Sequence, residues 1–148
     1  SFRVAILVLE FWDRVLYRAH SNSGQYPIGH CLMYALIHDG AEARTGDIDG
    51  HFKRCLPADA GRNAEGEVCP WVGEEGSAPV PVAVLVKLCD VLETYLYLRR
   101  YGIDPDVRTY LGELWEKVEE FAASTDAAWG LVGGSSREWA QKAAEEIR

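Results

Sequence analysis

The sequence predicts an all-α domain of about six helices, on three observations. Its apolar residues gather in runs of helical length, at 2–19, 28–43 and 80–102. None of these runs alternates apolar and polar residues with period two, as half-buried strands do. Gly, Pro and Asp stand at the places where such helices would start and stop. A length of 148 residues is that of one domain, and there is no internal repeat or low-complexity segment.

The first helix, FRVAILVLEFWDRVLYRA at 2–19, is apolar nearly all round and is expected to be buried. SNSGQYP at 21–27 is rich in turn formers. IGHCLMYALIHDGAEA at 28–43 resumes as a helix, and TGD at 45–47 ends it, with Gly46 free to take a positive φ. A short helix is expected from about Asp49 to Leu56. Residues 57–79 collect Gly, Pro, Asn, Glu and Ser around Trp71. A loop of that length is either a lid or binding loop or a variable surface loop. VPVAVLVKLCDVLETYLYLRRYG at 80–102 begins with β-branched residues, but its length favours a buried helix ending at Gly102. In the segment 104–124, Asp104 is the expected N-cap and Pro105 the first helical residue. Val107, Leu111, Leu114, Val118 and Phe121 form its apolar face. A last helix is expected from Ser136 to Arg148, with Trp139 packing inward.

Apolar residues make up 48% of the chain and charged residues 26%, normal for a protein with a core. The formal net charge of −8 argues against a general binder of nucleic-acid polymers, whose phosphates need Lys and Arg. A phosphate ligand would have to be held locally, by a metal or a few placed cations. The run VAILVL at 4–9 is too short to span a bilayer and is followed by Glu10 and Asp13, charges that a signal peptide would lack. No membrane partner and a cytoplasmic location are expected. Of the four cysteines, Cys31 and Cys89 lie in apolar helical patterns and suit a core. Cys55 and Cys69 flank the long loop, where they are either two free thiols or a pair. No C-x-x-C suggests zinc or redox chemistry.

The chemistry concentrates in LIHDGAEARTGDIDGHFK at 36–53. On a helix, His38 and Glu42 are four apart and Asp39 and Glu42 three apart, so they share a face at its C-terminal end. An imidazole beside carboxylates suits a divalent metal. Asp90 is the best distant ligand, because a carboxylate inside an apolar run is costly unless paired or bound to a cation. The competing reading places Asp90 on the solvent face between Lys87 and Glu93. Arg44, Lys53 and Arg54 are candidates to balance phosphate charge, or are solvated surface charges. Trp12, Tyr26 and Trp71 are candidates to stack on a base, with a core role as the alternative for the two tryptophans.

The run ALIHDGAEARTGDIDGHFK, with VKLCDVLETYLYLRR downstream, resembles the signature of HD-domain phosphohydrolases. It is most similar to their 5′-deoxynucleotidase-like branch, which includes compact phage-type dNTP triphosphohydrolases. The likeness extends over about residues 1–101. It implies an HD-domain helical bundle with His38, Asp39 and Asp90 as metal ligands. It also implies Glu42 and Asp47 as carboxylates acting on the attacking water and the leaving group, and Lys53 as a basic residue near the phosphate. The cofactor would be a divalent ion (Zn, Mn, Co, Fe or Mg). The substrate would be a deoxynucleoside mono- or triphosphate, and a homo-oligomer is left open. The family pattern H-S-x-R-V-A meets SFRVA here, so a further His ligand is expected immediately upstream of Ser1. His30 lies eight residues before His38, about 12 Å along a helix and too far to share its ion. His20, at the far end of the first helix, suits a helix-end role better. Two rival classes are a catalytically impaired nucleotide-binding module of the same type and a structural helical adaptor, in which the charges at 38–53 are only a solvated helix end.

Overall fold

The computed structural model describes residues 2–19, 26–38, 78–102 and 106–146. Among them are five helices and no strand, so the fold class is all-α. The short helix expected at 49–56, the turn at Gly46, nearly all of the loop at 57–79, Cys55 and Cys69 lie outside the described residues.

Helix α1, Phe2–Phe11, buries Val4, Ala5, Leu7, Val8 and Phe11, one face of a 3.6-residue repeat. Its other face corrects the expectation of an all-round buried helix. Phe2, Ile6 and Leu9 are exposed. An unbroken apolar run carries no information about which side meets the core. After Phe11 the chain makes one wider π-helical turn, Trp12–Leu16, closed by the Tyr17 amide on the Trp12 carbonyl at 2.8 Å. The extra residue in that turn shifts the register by one. Leu16, five positions after Phe11, is therefore fully buried, and Val15 only partly so.

Helix α2, Ile28–Ile37, follows Pro27, whose extended backbone starts it cleanly. It buries Cys31 and Ala35, and helical backbone continues through His38, whose amide bonds the Tyr34 carbonyl. Cys31, Ala35 and His38 thus follow one another along the inward face. The part of the expected helix beyond His38 lies outside the described residues.

Helix α3, Val80–Tyr101, is the central element. It buries Val82, Leu85, Val86, Leu88, Cys89, Val91, Leu92 and Leu96. Its end at Gly102 matches the expectation. A Cβ at Gly102 would lie 2.5 Å from the Leu98 carbonyl oxygen and 2.7 Å from a Val107 methyl, so the next helix can approach only a glycine. Helix α4, Val107–Trp129, runs five residues past the expected end at 124. Ser124 and Thr125 donate their hydroxyls to the Glu120 and Phe121 carbonyls, at 3.0 and 2.7 Å, and so stay inside the helix. The stop is Gly130, in the left-handed region at φ 66°. Leu114 and Val118 of the predicted apolar face are buried, while Val107, Leu111 and Phe121 are half-buried. Asp104 and Pro105 lie outside the described residues.

Helix α5, Ser135–Glu146, is capped from another helix. Asp126 of α4 accepts hydrogen bonds from the Gly134 amide at 2.7 Å, the Ser136 amide at 3.0 Å and the Ser136 hydroxyl. A carboxylate suits a helix N-terminus, where amides lack intrahelical partners and the dipole is positive. Trp139 packs inward as expected, edge-on to Phe11 with ring centroids 5.0 Å apart. The core closes around Trp129, whose indole N–H donates to the Pro81 carbonyl at 2.8 Å. Among the described residues, no helix is long and apolar enough to cross a membrane.

Candidate functional site

The packing of α2 against α3 brings the end of one to the middle of the other. His38 leaves the last turn of α2 with its Nδ1 2.7 Å from the Ala35 carbonyl oxygen of the same helix. A carbonyl only accepts, so Nδ1 carries the proton, and in the neutral ring the lone pair is on Nε2. Nε2 is shielded from solvent. It lies 3.7 Å from Asp90 Oδ1 on α3, 52 residues away in the chain. The same carboxylate has its other oxygen, Oδ2, on the Lys87 ammonium at 2.7 Å.

Asp90 therefore combines the two placements the sequence allows. It pairs with Lys87 one turn earlier, as a solvent-face carboxylate would. It also turns one oxygen inward to the imidazole, with its side chain 27% exposed. Burial alone pushes its carboxyl group up. The His38 ring, in its protonated form, and the Lys87 ammonium outweigh that and hold it down at about 2. Asp90 is thus an anion at neutral pH.

A separation of 3.7 Å between Nε2 and Oδ1 is beyond a hydrogen bond. Two donors held on one first-row ion at about 2.1 Å each lie about 3–4 Å apart. An Nδ1–H anchored on a backbone carbonyl is also how ligating histidines are commonly oriented. In donor type and spacing the pair suits a divalent cation. Among the described residues, no group of three or more His, Cys, Asp or Glu forms a complete set of ligands. The other expected members, Asp39, Glu42, Asp47, Arg44, Lys53, Arg54 and Trp71, lie outside the described residues, as does His20.

Neighbouring groups have other roles. Cys31 and Cys89 are buried free thiols, as expected of core residues. Burial raises Cys31 to about 11 and Cys89 well above its usual value, so both are neutral and poor ligands. His30 is exposed on α2. Trp12 and Tyr26 meet Trp129 edge-on, with centroids 6.0 and 5.7 Å apart, so both pack on the core. Arg3 in the first turn of α1 reaches Glu93 at 3.2 Å, one turn beyond Asp90 on α3. From there a groove of about 370 Å³ opens between α1, α3 and α5, bordered by Arg3, Tyr97 and Arg100. Neither His38 nor Asp90 lines that groove. The sequence placed Lys87 beside Asp90 only in the reading that kept Asp90 on the solvent face, and gave it no part in the site.

No family model matches the chain, and no solved structure matches it. Among curated proteins the chain is similar to the dATP triphosphohydrolase of cyanophage S-2L. The two are 31% identical over 86 residues, which cover 57% of this chain and 49% of the relative. It is also similar to the dATP triphosphohydrolase of Salmonella phage PMBT28, 28% identical over 136 residues, 87% of this chain and 67% of the relative. The chain spans about half the length of the first of these relatives.

Proposed function

We propose that this chain is an HD-type, metal-dependent phosphohydrolase that releases triphosphate from a deoxynucleoside triphosphate. The observation that carries the proposal is the meeting of His38 Nε2 and Asp90 Oδ1 at 3.7 Å from two distant helices. Similarity to two dATP triphosphohydrolases supports the triphosphate over the monophosphate as substrate.

In this reading His38, Asp39 and Asp90 hold the ion. A bound divalent ion supplies a more acidic water and an electrophile for the phosphoryl oxygens. The chain's own residues do the rest. The Ala35 carbonyl holds the imidazole of His38 with Nε2 directed inward. Asp90 stays ionised through the neutral range, since its carboxyl group is held near 2. Glu42 and Asp47 share the proton transfers. One accepts the proton that water loses as its oxygen bonds to the α-phosphorus. The other returns a proton to the 5′ oxygen as the P–O5′ bond breaks. The products are the deoxynucleoside and triphosphate. Arg44, Lys53 and Arg54 hold the phosphates, and Trp71 stacks on the base.

The test is product identification with dATP and dAMP in the presence of Mn²⁺, Co²⁺, Zn²⁺ or Mg²⁺. One triphosphate per deoxyadenosine from dATP is expected. His38→Ala and Asp90→Ala should lose both ion and turnover, while Glu42→Ala should lose turnover and keep the ion. Phosphate released from dAMP alone would make the chain a monophosphatase. No turnover with any ion would return it to a binding or structural role.

A further inference from the structure

We propose that Lys87 is a substrate-binding residue, whose ammonium moves from Asp90 to the triphosphate when substrate and cation enter. The inference rests on the proposed hydrolase reading and adds to it a residue to which that reading gives no role.

The two oxygens of Asp90 face different partners. Oδ1 looks inward at His38 Nε2, and Oδ2 receives the Lys87 ammonium at 2.7 Å. A cation at the inner oxygen therefore does not displace Lys87 by contact. It does place a second positive charge on a carboxylate that already carries one. Like charges a few ångströms apart repel, so filling the inner position weakens the hold of Asp90 on the ammonium.

That hold is weak to begin with. The Lys87 side chain is 54% exposed, and the pair is an i, i+3 contact on a helix surface. Among the described residues, Asp90 is the group it bonds. Its backbone, by contrast, is fixed. Val86 and Leu88 on either side are fully buried, so the Lys87 stem always starts from the same place beside the site. A four-carbon stem with a mobile ammonium is suited to follow a polyphosphate. The other described cation near this turn of α3, Arg3, is engaged by Glu93. Lys87 thus neutralises Asp90 before substrate enters and the triphosphate once it is bound.

A purely orienting role for Lys87 predicts the opposite sign for one observable, so the two are separable. The full chain is compared with Lys87→Met and Lys87→Arg. Three readouts are taken: Mn²⁺ affinity without nucleotide, KM and kcat for dATP at saturating Mn²⁺, and the inhibition constant of inorganic triphosphate. If the ammonium transfers, Lys87→Met raises KM and the inhibition constant about tenfold, as loss of one charge-assisted bond does. Mn²⁺ affinity then stays the same or tightens, because a competing cation has gone. Lys87→Arg should restore KM to within about threefold, since its guanidinium also binds phosphate. Unchanged KM and inhibition constants in Lys87→Met overturn the proposal, with the hydrolase reading intact. So does a weakened Mn²⁺ affinity whose KM effect vanishes at saturating ion, which would make Lys87 an orienting group. A wild-type chain that neither holds Mn²⁺ nor turns over dATP overturns the hydrolase reading, and this inference with it.

Discussion

Replacing Asp126 by Ala should be the most damaging single change at the α4–α5 junction. The Asp126 carboxylate is 5% exposed and accepts three hydrogen bonds, from the Gly134 and Ser136 amides and the Ser136 hydroxyl. A bond to a charged group contributes about 1.5–3 kcal/mol net, and a buried donor left without a partner costs about 1–3 kcal/mol. The three bonds share one acceptor group, so their losses do not simply add. The expected loss for Asp126→Ala is about 3–5 kcal/mol, which includes the N-cap of α5. In a domain of this size that lowers Tm by about 10 °C. The series should be graded. Ser136→Ala removes the hydroxyl bond alone and should cost about 1 kcal/mol. Asp126→Asn keeps one acceptor oxygen but turns an amide N–H₂ towards a donor, and should fall between the two. Thermal and urea unfolding followed by circular dichroism measure all three. A loss below about 1 kcal/mol for Asp126→Ala would refute the reasoning, because α5 would then hold its position by packing alone.

Divalent ions should stabilise the wild-type chain by about 2.7 kcal/mol at a hundred times the dissociation constant. Asp90→Asn and His38→Ala should abolish that shift in a thermal titration. Without ions, Asp90→Asn should change stability by less than about 1 kcal/mol, since the Lys87 pair it removes is half in water. Retention of the ion-induced shift in both variants would rule out the pair as the ion's seat. Gly102→Ala should destabilise by about 1–3 kcal/mol, because its Cβ would sit 2.5 Å from the Leu98 carbonyl oxygen and 2.7 Å from a Val107 methyl, and a loss near zero in urea unfolding would show that the end of α3 and the start of α4 both give way there. Trp129→Phe removes the bond to the Pro81 carbonyl and part of the edge contacts with Trp12 and Tyr26, and should cost about 2–3 kcal/mol by the same assay.

Helix existence was legible because apolar runs of helical length ended at strong signals. Gly102 is one, where the next helix leaves no room for a side chain. The end of α4 was misplaced because Ser124 and Thr125 look like a helix stop, yet their hydroxyls satisfy carbonyls one turn back. The burial of α1 was overestimated for a different reason. Phe2, Ile6 and Leu9 are as apolar as the buried face, and only packing distinguishes the two sides. Asp126 was overlooked because its partners, at 134 and 136, lie across a turn between two helices and follow no helical spacing. At the site, His38 and Asp90 stood out as the polar residues that an apolar helix has no reason to carry unless they meet something. Their meeting at 3.7 Å is a property of helix packing, which no local pattern encodes.

Each of those two side chains also starts from a fixed base, His38 with its ring on the Ala35 carbonyl and Asp90 on backbone held between the buried Cys89 and Val91. The gap between them behaves like the opening of a caliper, whose jaws are α2 and α3. The setting screw is the pair of small residues Cys31 and Cys89, both fully buried and close enough for one thiol to act on the other. A bulkier side chain there would pry the jaws apart without touching either tip, so mutations deep in the hydrophobic interior can set the distance between Nε2 and Oδ1.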